Sequence, residues 1–121
     1  MAGNQVADIS PLADLANLAF LWMEDNEVAD LIPLTGLTKL HLVNFDRNLV
    51  SDLTGLEGLP ALSHVFLSGD LVTDISLLVA NTGLGSGDKI DLTGNPLSPL
   101  ACADAETLRS RGATVDEDTC P

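Results

Sequence analysis

Four stretches of the chain superimpose without a gap: Val6-Ala7-Asp8-Ile9, Val28-Ala29-Asp30-Leu31, Val50-Ser51-Asp52-Leu53 and Val72-Thr73-Asp74-Ile75, each starting 22 residues after the one before. Outward from them the leucines keep the same step, as Leu12, Leu34, Leu56 and Leu78, then Leu15, Leu37 and Leu59, then Leu18, Leu40 and Leu62. Upstream, Asn4, Asn26 and Asn48 recur at one position, where the fourth copy carries Asp70. A coil of this length cannot bury its own leucines, but coils set side by side make a continuous apolar column in which each residue lies over its equivalent. The period therefore predicts a solenoid.

Each strand reads Leu-x-x-Leu-x-Leu-x-x-Asn, and period-two alternation assigns its faces. Leu21 and Met23, Val43 and Phe45, Val65 and Leu67, and Ile90 and Leu92 are expected inward. The outward rows are Phe20, Trp22 and Glu24; Leu42, Asn44 and Asp46; His64, Phe66 and Ser68; Lys89, Asp91 and Thr93. An inward Asn in every coil can bond backbone groups freed at the turn after the strand. The recurring Asp precedes a short helical turn, as in Ile9-Ser10-Pro11-Leu12, where a carboxylate can satisfy free amides and Pro is tolerated. That Pro is replaced by Gly55 and Leu77 in the third and fourth copies.

The fourth copy is longer, with 25 residues from Asp70 to Asn95, and Gly83, Gly85 and Gly87 mark a bulging loop on the convex side or edge. After Ser98 the repeat stops. Pro99 to Gly112 has helical propensity with Ala101, Ala105 and Leu108 on one face, followed by a short Ala113-Thr114-Val115 strand. The domains expected are leucine-rich coils over 1–99 and a C-terminal cap over 100–121 that shields the last coil from water. The fold class is α/β: a leucine-rich-repeat solenoid with a parallel β-sheet on its concave face, short 3-10 or helical turns on its convex face, and a helical cap.

Composition agrees with this and excludes several partners. With 45% apolar residues the 121-residue chain can bury a core along its length. Eighteen acidic against five basic residues, a net charge of -13, leave no basic stripe to displace counterions from nucleic acid or anionic membranes. No apolar stretch approaches the roughly 20 residues that span a bilayer, and the Met1-Ala2-Gly3 start lacks the parts of a signal peptide. Because Asn4 to Leu12 already reads as the middle of a repeat, the start has the character of a cut inside a longer protein.

The unit Asn-x-Val/Ile-x-Asp-Ile/Leu-x-Pro-Leu, with Leu-x-x-Leu between copies, resembles the internalin-type bacterial leucine-rich-repeat proteins over about four fifths of the chain. The run Gly87-Asp88-Lys89-Ile90-Asp91-Leu92-Thr93-Gly94-Asn95-Pro96-Leu97-Ser98, then Leu108 to Val115, is similar to the closing segment of many bacterial surface and secreted repeat proteins. The resemblance implies a curved solenoid and extracellular or cell-surface protein binding.

The sole Trp and two of three Phe fall on outward strand positions. Phe20, Trp22, Leu42 and Phe66 on neighbouring rungs would form an apolar patch of the kind that marks contact sites. Asn44 and His64 lie within it, and Glu24, Asp46 and Asp91 edge it. A basic protein surface is the natural complement. The competing reading packs these rings against a rim loop or a second copy. No cofactor or metal is expected, since the carboxylates lack the dense oxygen cluster of a calcium loop. Cys102 and Cys120, 18 apart and flanking the cap, either form a disulfide or stay as two buried thiols.

An enzyme would need a nucleophile, a base and an orienting group to converge. His64, Ser68 and Asp46 are the nearest set, but four extended residues put Ser68 about 13 Å from His64. The function expected is therefore a non-catalytic protein-binding module. Two alternatives stand beside it: a structural spacer or engineered minimal scaffold, self-associating through exposed first-coil residues Val6, Ile9, Leu12 and Leu15, and an intracellular regulatory adaptor, which reduced cysteines would favour.

Overall fold

The computed structural model describes residues 3–120; Met1, Ala2 and Pro121, and with them the extremes of both expected domains, lie outside the described residues. Five short strands, β1 (Phe20–Trp22), β2 (Leu42–Asn44), β3 (His64–Phe66), β4 (Lys89–Asp91) and β5 (Thr114–Asp116), form one parallel sheet in sequence order. Equivalent residues pair across it, Leu21 with Val43, Val43 with Val65, Val65 with Ile90 and Ile90 with Val115. Parallel neighbours need a crossover, and here each crossover is one coil of the repeat. The expected solenoid is what the chain forms.

On the side opposite the sheet the coils turn through 3-10 segments at Ser10–Asp14 and Ile32–Leu34 and a one-turn helix, α1, at Ser76–Ala80. The recurring Asp prepares each of these turns. Asp8, Asp30, Asp52 and Asp74 accept the amide of the residue two positions on, at 2.8 to 2.9 Å. These are Asx-type bonds from an Asp two residues ahead of the turn, which explains why a short acid suits the site. The third coil makes only a turn, because Gly55 stands where Pro stands in the first two and adopts φ +119°.

The predicted columns are filled. Leu34, Leu56 and Leu78, then Leu37 and Leu59, then Leu40 and Leu62 are fully buried, as are Val43, Phe45, Val65 and Leu67. Burying each such side chain stabilises by about 1.5–3 kcal/mol. The first coil is different, since only one neighbour covers it. Leu15 is 48% exposed, and Leu12 and Leu18 are partly buried. Ile9, which the scaffold alternative would leave exposed, is buried.

The asparagine column runs beneath the turns. Oδ1 of Asn26, Asn48 and Asn95 accepts the amide of Val6, Val28 and Val72 in the coil before. Nδ2 of Asn48 donates to the carbonyls of Met23, Phe45 and Asp46, and that of Asn95 to Leu67, Leu92 and Thr93. A buried amide thus satisfies groups of two coils at once.

The cap begins with α2, Pro99–Ser110, whose buried residues Ala101, Ala105 and Leu108 are those its pattern puts on one face. Ser98 Oγ accepts from Ala101 N and Pro99 occupies the first helical turn, so the start is capped by side chain and pre-set by ring geometry. β5 runs one residue later than expected and extends the sheet, so the cap completes the solenoid rather than covering it as a separate layer. Cys102 and Cys120 are bonded, with Cα atoms 5.6 Å apart. The inserted loop of the fourth coil is stitched to the core and the cap. Asn81 Nδ2 donates to Leu56 O and Leu59 O, and Arg111 Nη1 to Val79 O.

Candidate functional site: the concave sheet face

Because the strands are in register, the outward residues form three rows across the sheet. The first holds Phe20, Leu42, His64, Lys89 and Thr114, and the second Trp22, Asn44, Phe66, Asp91 and Asp116. The third lies just past the strands and holds Glu24, Asp46, Ser68 and Thr93.

The aromatic residues stand where the alternation places them, and their exposure is uneven. Phe20 is 60% and Trp22 49% exposed, while Phe66 and His64 are half-buried. Phe20 stacks on the His41 ring at the entrance to β2, with centroids 6.0 Å apart, and His64 leans on Phe66 at 6.1 Å. His41 itself is exposed and held by Lys39 O, 2.7 Å from its Nδ1.

Leu42 and Asn44 correct the sequence reading. Both point to the concave face, yet Leu42 is only 9% and Asn44 8% exposed. Leu42 pairs in register with Phe20 on one side and His64 on the other, and Asn44 with Trp22 and Phe66. The larger neighbours on the same face roof them over. Asn44 moreover turns its Oδ1 to Asp46 N at 2.9 Å. These two residues lie buried beneath the rings of this face.

An acidic band borders the aromatic rings. Asp46 Oδ1 accepts Ser68 N at 2.8 Å, and Asp91 Oδ1 accepts both the amide and the hydroxyl of Thr93. Burial pushes the Asp46 carboxyl up, against the Ser68 amide bond, and the charges of Asp91 and Glu24 add to the rise. Asp116, paired in register with Asp91, prolongs the band into the cap and lies 3.8 Å from Lys89. Asp116 was not among the expected site residues; the alternation of the cap strand was the signal that could have found it.

The residues weighed for catalysis do not converge. His64 Nδ1 is 2.9 Å from Ser63 Oγ, its chain neighbour, whereas Ser68 Oγ is 2.9 Å from Thr93 Oγ1. Asp46 is occupied by the Ser68 amide. Among the described residues no group of three or more His, Cys, Asp or Glu is placed to hold a metal ion, and no helix is long and apolar enough to cross a membrane. A shallow depression of about 250 Å³, bordered by Asp52, Leu53, Asp74 and Leu77, lies between the turn of the third coil and α1, away from the aromatic rows.

Register, columns and asparagine ladder together define a leucine-rich-repeat solenoid. Solved structures place it further. An internalin from Listeria monocytogenes superimposes with TM-score 0.82 at 24% identity over 98% of this chain, and a second, internalin C2, with 0.81 at 29% identity over 94%. A leucine-rich-repeat protein of Leptospira interrogans gives 0.81 at 19% identity over 96% of this chain. The chain thus has the leucine-rich-repeat fold of these internalin-type proteins. It spans 35%, 48% and 30% of the length of those three proteins. No family model and no curated protein matches the sequence.

Proposed function

We propose that the chain is a non-catalytic module that binds another protein on its concave sheet face. The observation that carries the reading is the exposure of Phe20 and Trp22 side by side on β1, in a chain with one Trp and three Phe. Large exposed rings that fill no core are costly to leave in water and are the residues that anchor interfaces. Phe66 continues the patch on β3, with Leu42 and Asn44 beneath it and His64 at its side. The carboxylates of Glu24, Asp46 and Asp91 at its border favour a partner with basic side chains around an apolar centre. The Cys102–Cys120 disulfide supports an oxidising, extracellular or cell-surface setting over a reducing one.

Affinity capture with the wild-type chain beside a Trp22→Ser, Phe66→Ser variant tests this. The variant is expected to keep a cooperative thermal transition, since Trp22 is half outside the core and Phe66 partly outside it. A protein retained by wild type alone, and released more readily as salt rises, supports the concave site. Equal retention by both, or collapse of the variant's fold, overturns it.

A further inference from the structure

One rung of the buried polar ladder is chemically unlike the rest. Asn48 and Asn95 each accept an amide through Oδ1 and donate through Nδ2 to three backbone carbonyls. Asp70, between them in the stack, copies only the accepting half. Its Oδ1 takes Val50 N at 3.0 Å and Asn48 N at 3.1 Å. Its Oδ2 is buried and has no hydrogen-bond partner, the only such side-chain atom among the described residues.

The repeat tells what surrounds that oxygen. Counting back from Asp70 by the steps that lead from Asn48 to its acceptors arrives at the carbonyls of Phe45, Leu67 and Ser68. All three are acceptors. An ionised Oδ2 would stand among like-signed dipoles with no donor, a costly arrangement for a buried charge, whereas an O–H there has partners waiting.

We propose that Asp70 is carried in the folded solenoid as a neutral carboxylic acid whose Oδ2–H replaces the amide donor of the ladder asparagines, which makes the joint between the third and fourth coils sensitive to pH. The groups around it leave this reading intact. From the coil before, Asp46 acts on Asp70 and its charge opposes ionisation, while Arg47 turns outward onto Asp25. The coil after presents uncharged Thr93, Gly94 and Asn95, with Asp118 beyond them bonded to Gly94 N. Burial is the largest cause that moves the carboxyl from 3.8 to about 7, outweighing the two amide bonds.

The sign follows from linkage. The unfolded chain releases this proton near 3.8 and the folded chain near 7, so Asp70 favours the folded state fully below pH 3.8. That advantage drains away as pH rises to about 7 and is gone above it. Asn at the same position would donate at every pH.

The test is the thermal midpoint of wild type and Asp70→Asn across pH 5 to 8.5, with a carbon-13 titration of the Asp70 carboxyl in the folded wild type. Every other titratable group is common to the two proteins, so the difference between the two curves isolates Asp70. Expected are a wild-type midpoint that falls towards neutral pH, a variant that lacks this fall and is the more stable at pH 8, and a carboxyl titrating near 7. Parallel curves, or a carboxyl already ionised below pH 5, overturn the proposal. Should the variant fail to fold, the carboxyl titration decides alone.

Discussion

Arg47 reaches back one coil to Asp25, with Nη2 3.0 Å from Asp25 Oδ2 and Nε on Oδ1, and both residues occupy the left-handed region at φ 58° and 60°. Their equivalents in the next two coils are Gly69 and Gly94, at φ 71° and 72°. The turn after each of the first four strands therefore needs positive φ, which glycine adopts freely and other residues do at a cost. In the first two coils a two-toothed ion pair ties together the residues that bear that cost. Both side chains are exposed, so the pair is worth little by itself.

This ranks substitutions at position 47. Arg47→Ala loses the pair and keeps the strained backbone, whereas Arg47→Gly loses the pair and relieves it. Chemical denaturation should find the Gly variant more stable than the Ala variant. The reverse order would mean that the ion pair, not the backbone, governs this turn.

Gly55 is held by close approach as well as by φ. A Cβ built on it would lie 2.3 Å from Leu31 O, while one on Gly58 meets nothing within 4 Å. Gly55→Ala should cost about 2 kcal/mol or more, by positive φ and by pushing the second and third coils apart. Gly58→Ala should be near neutral. Urea midpoints of the two variants provide the comparison, and equal midpoints would remove the packing argument.

The disulfide closes the end of the solenoid. It ties Cys102 on α2 to Cys120, beside a tail anchored by Thr119 Oγ1 on Asn95 O and by Arg109, which reaches Val115 O and Glu117. Replacing both cysteines by Ser should cost about 3 kcal/mol by the chain-entropy estimate for a loop of this size. Hydrogen exchange should show the loss first in β5 and the tail. Unchanged protection there would show that packing alone holds the cap.

The Asx turns also respond to acid. The amide and side-chain bonds from Ser10, Thr54 and Ser76 hold the carboxyls of Asp8, Asp52 and Asp74 below 3.8. Each therefore favours the folded state above that value, and the contribution is lost as pH falls through the depressed folded value. This is the opposite sign to Asp70. Asp52→Asn keeps an acceptor for Thr54 N but cannot titrate, so its thermal midpoint should fall less steeply than wild type between pH 4.5 and 2.5. Identical slopes would assign acid sensitivity to other carboxylates.

A strict 22-residue step determined, before any coordinates, which residues lie over which, because stacked coils bury leucines only when equivalents meet. From that came the parallel sheet, the inward Val43, Phe45, Val65 and Leu67 and the ladder positions, while helical spacing separately marked the buried face of α2. The aromatic row on the concave face was legible for the same reason, and alternation alone puts Phe20 and Trp22 outward. How much of a side chain water reaches was not legible, since it depends on the bulk of neighbours from other coils on the same face. Only the tertiary structure could bury Leu42 between Phe20 and His64 and stitch Arg111 to Val79 O across 32 residues. The same holds for Asp70. By sequence it is a one-atom-group departure from Asn; its charge state is decided by the donors and acceptors that three stacked coils place around it.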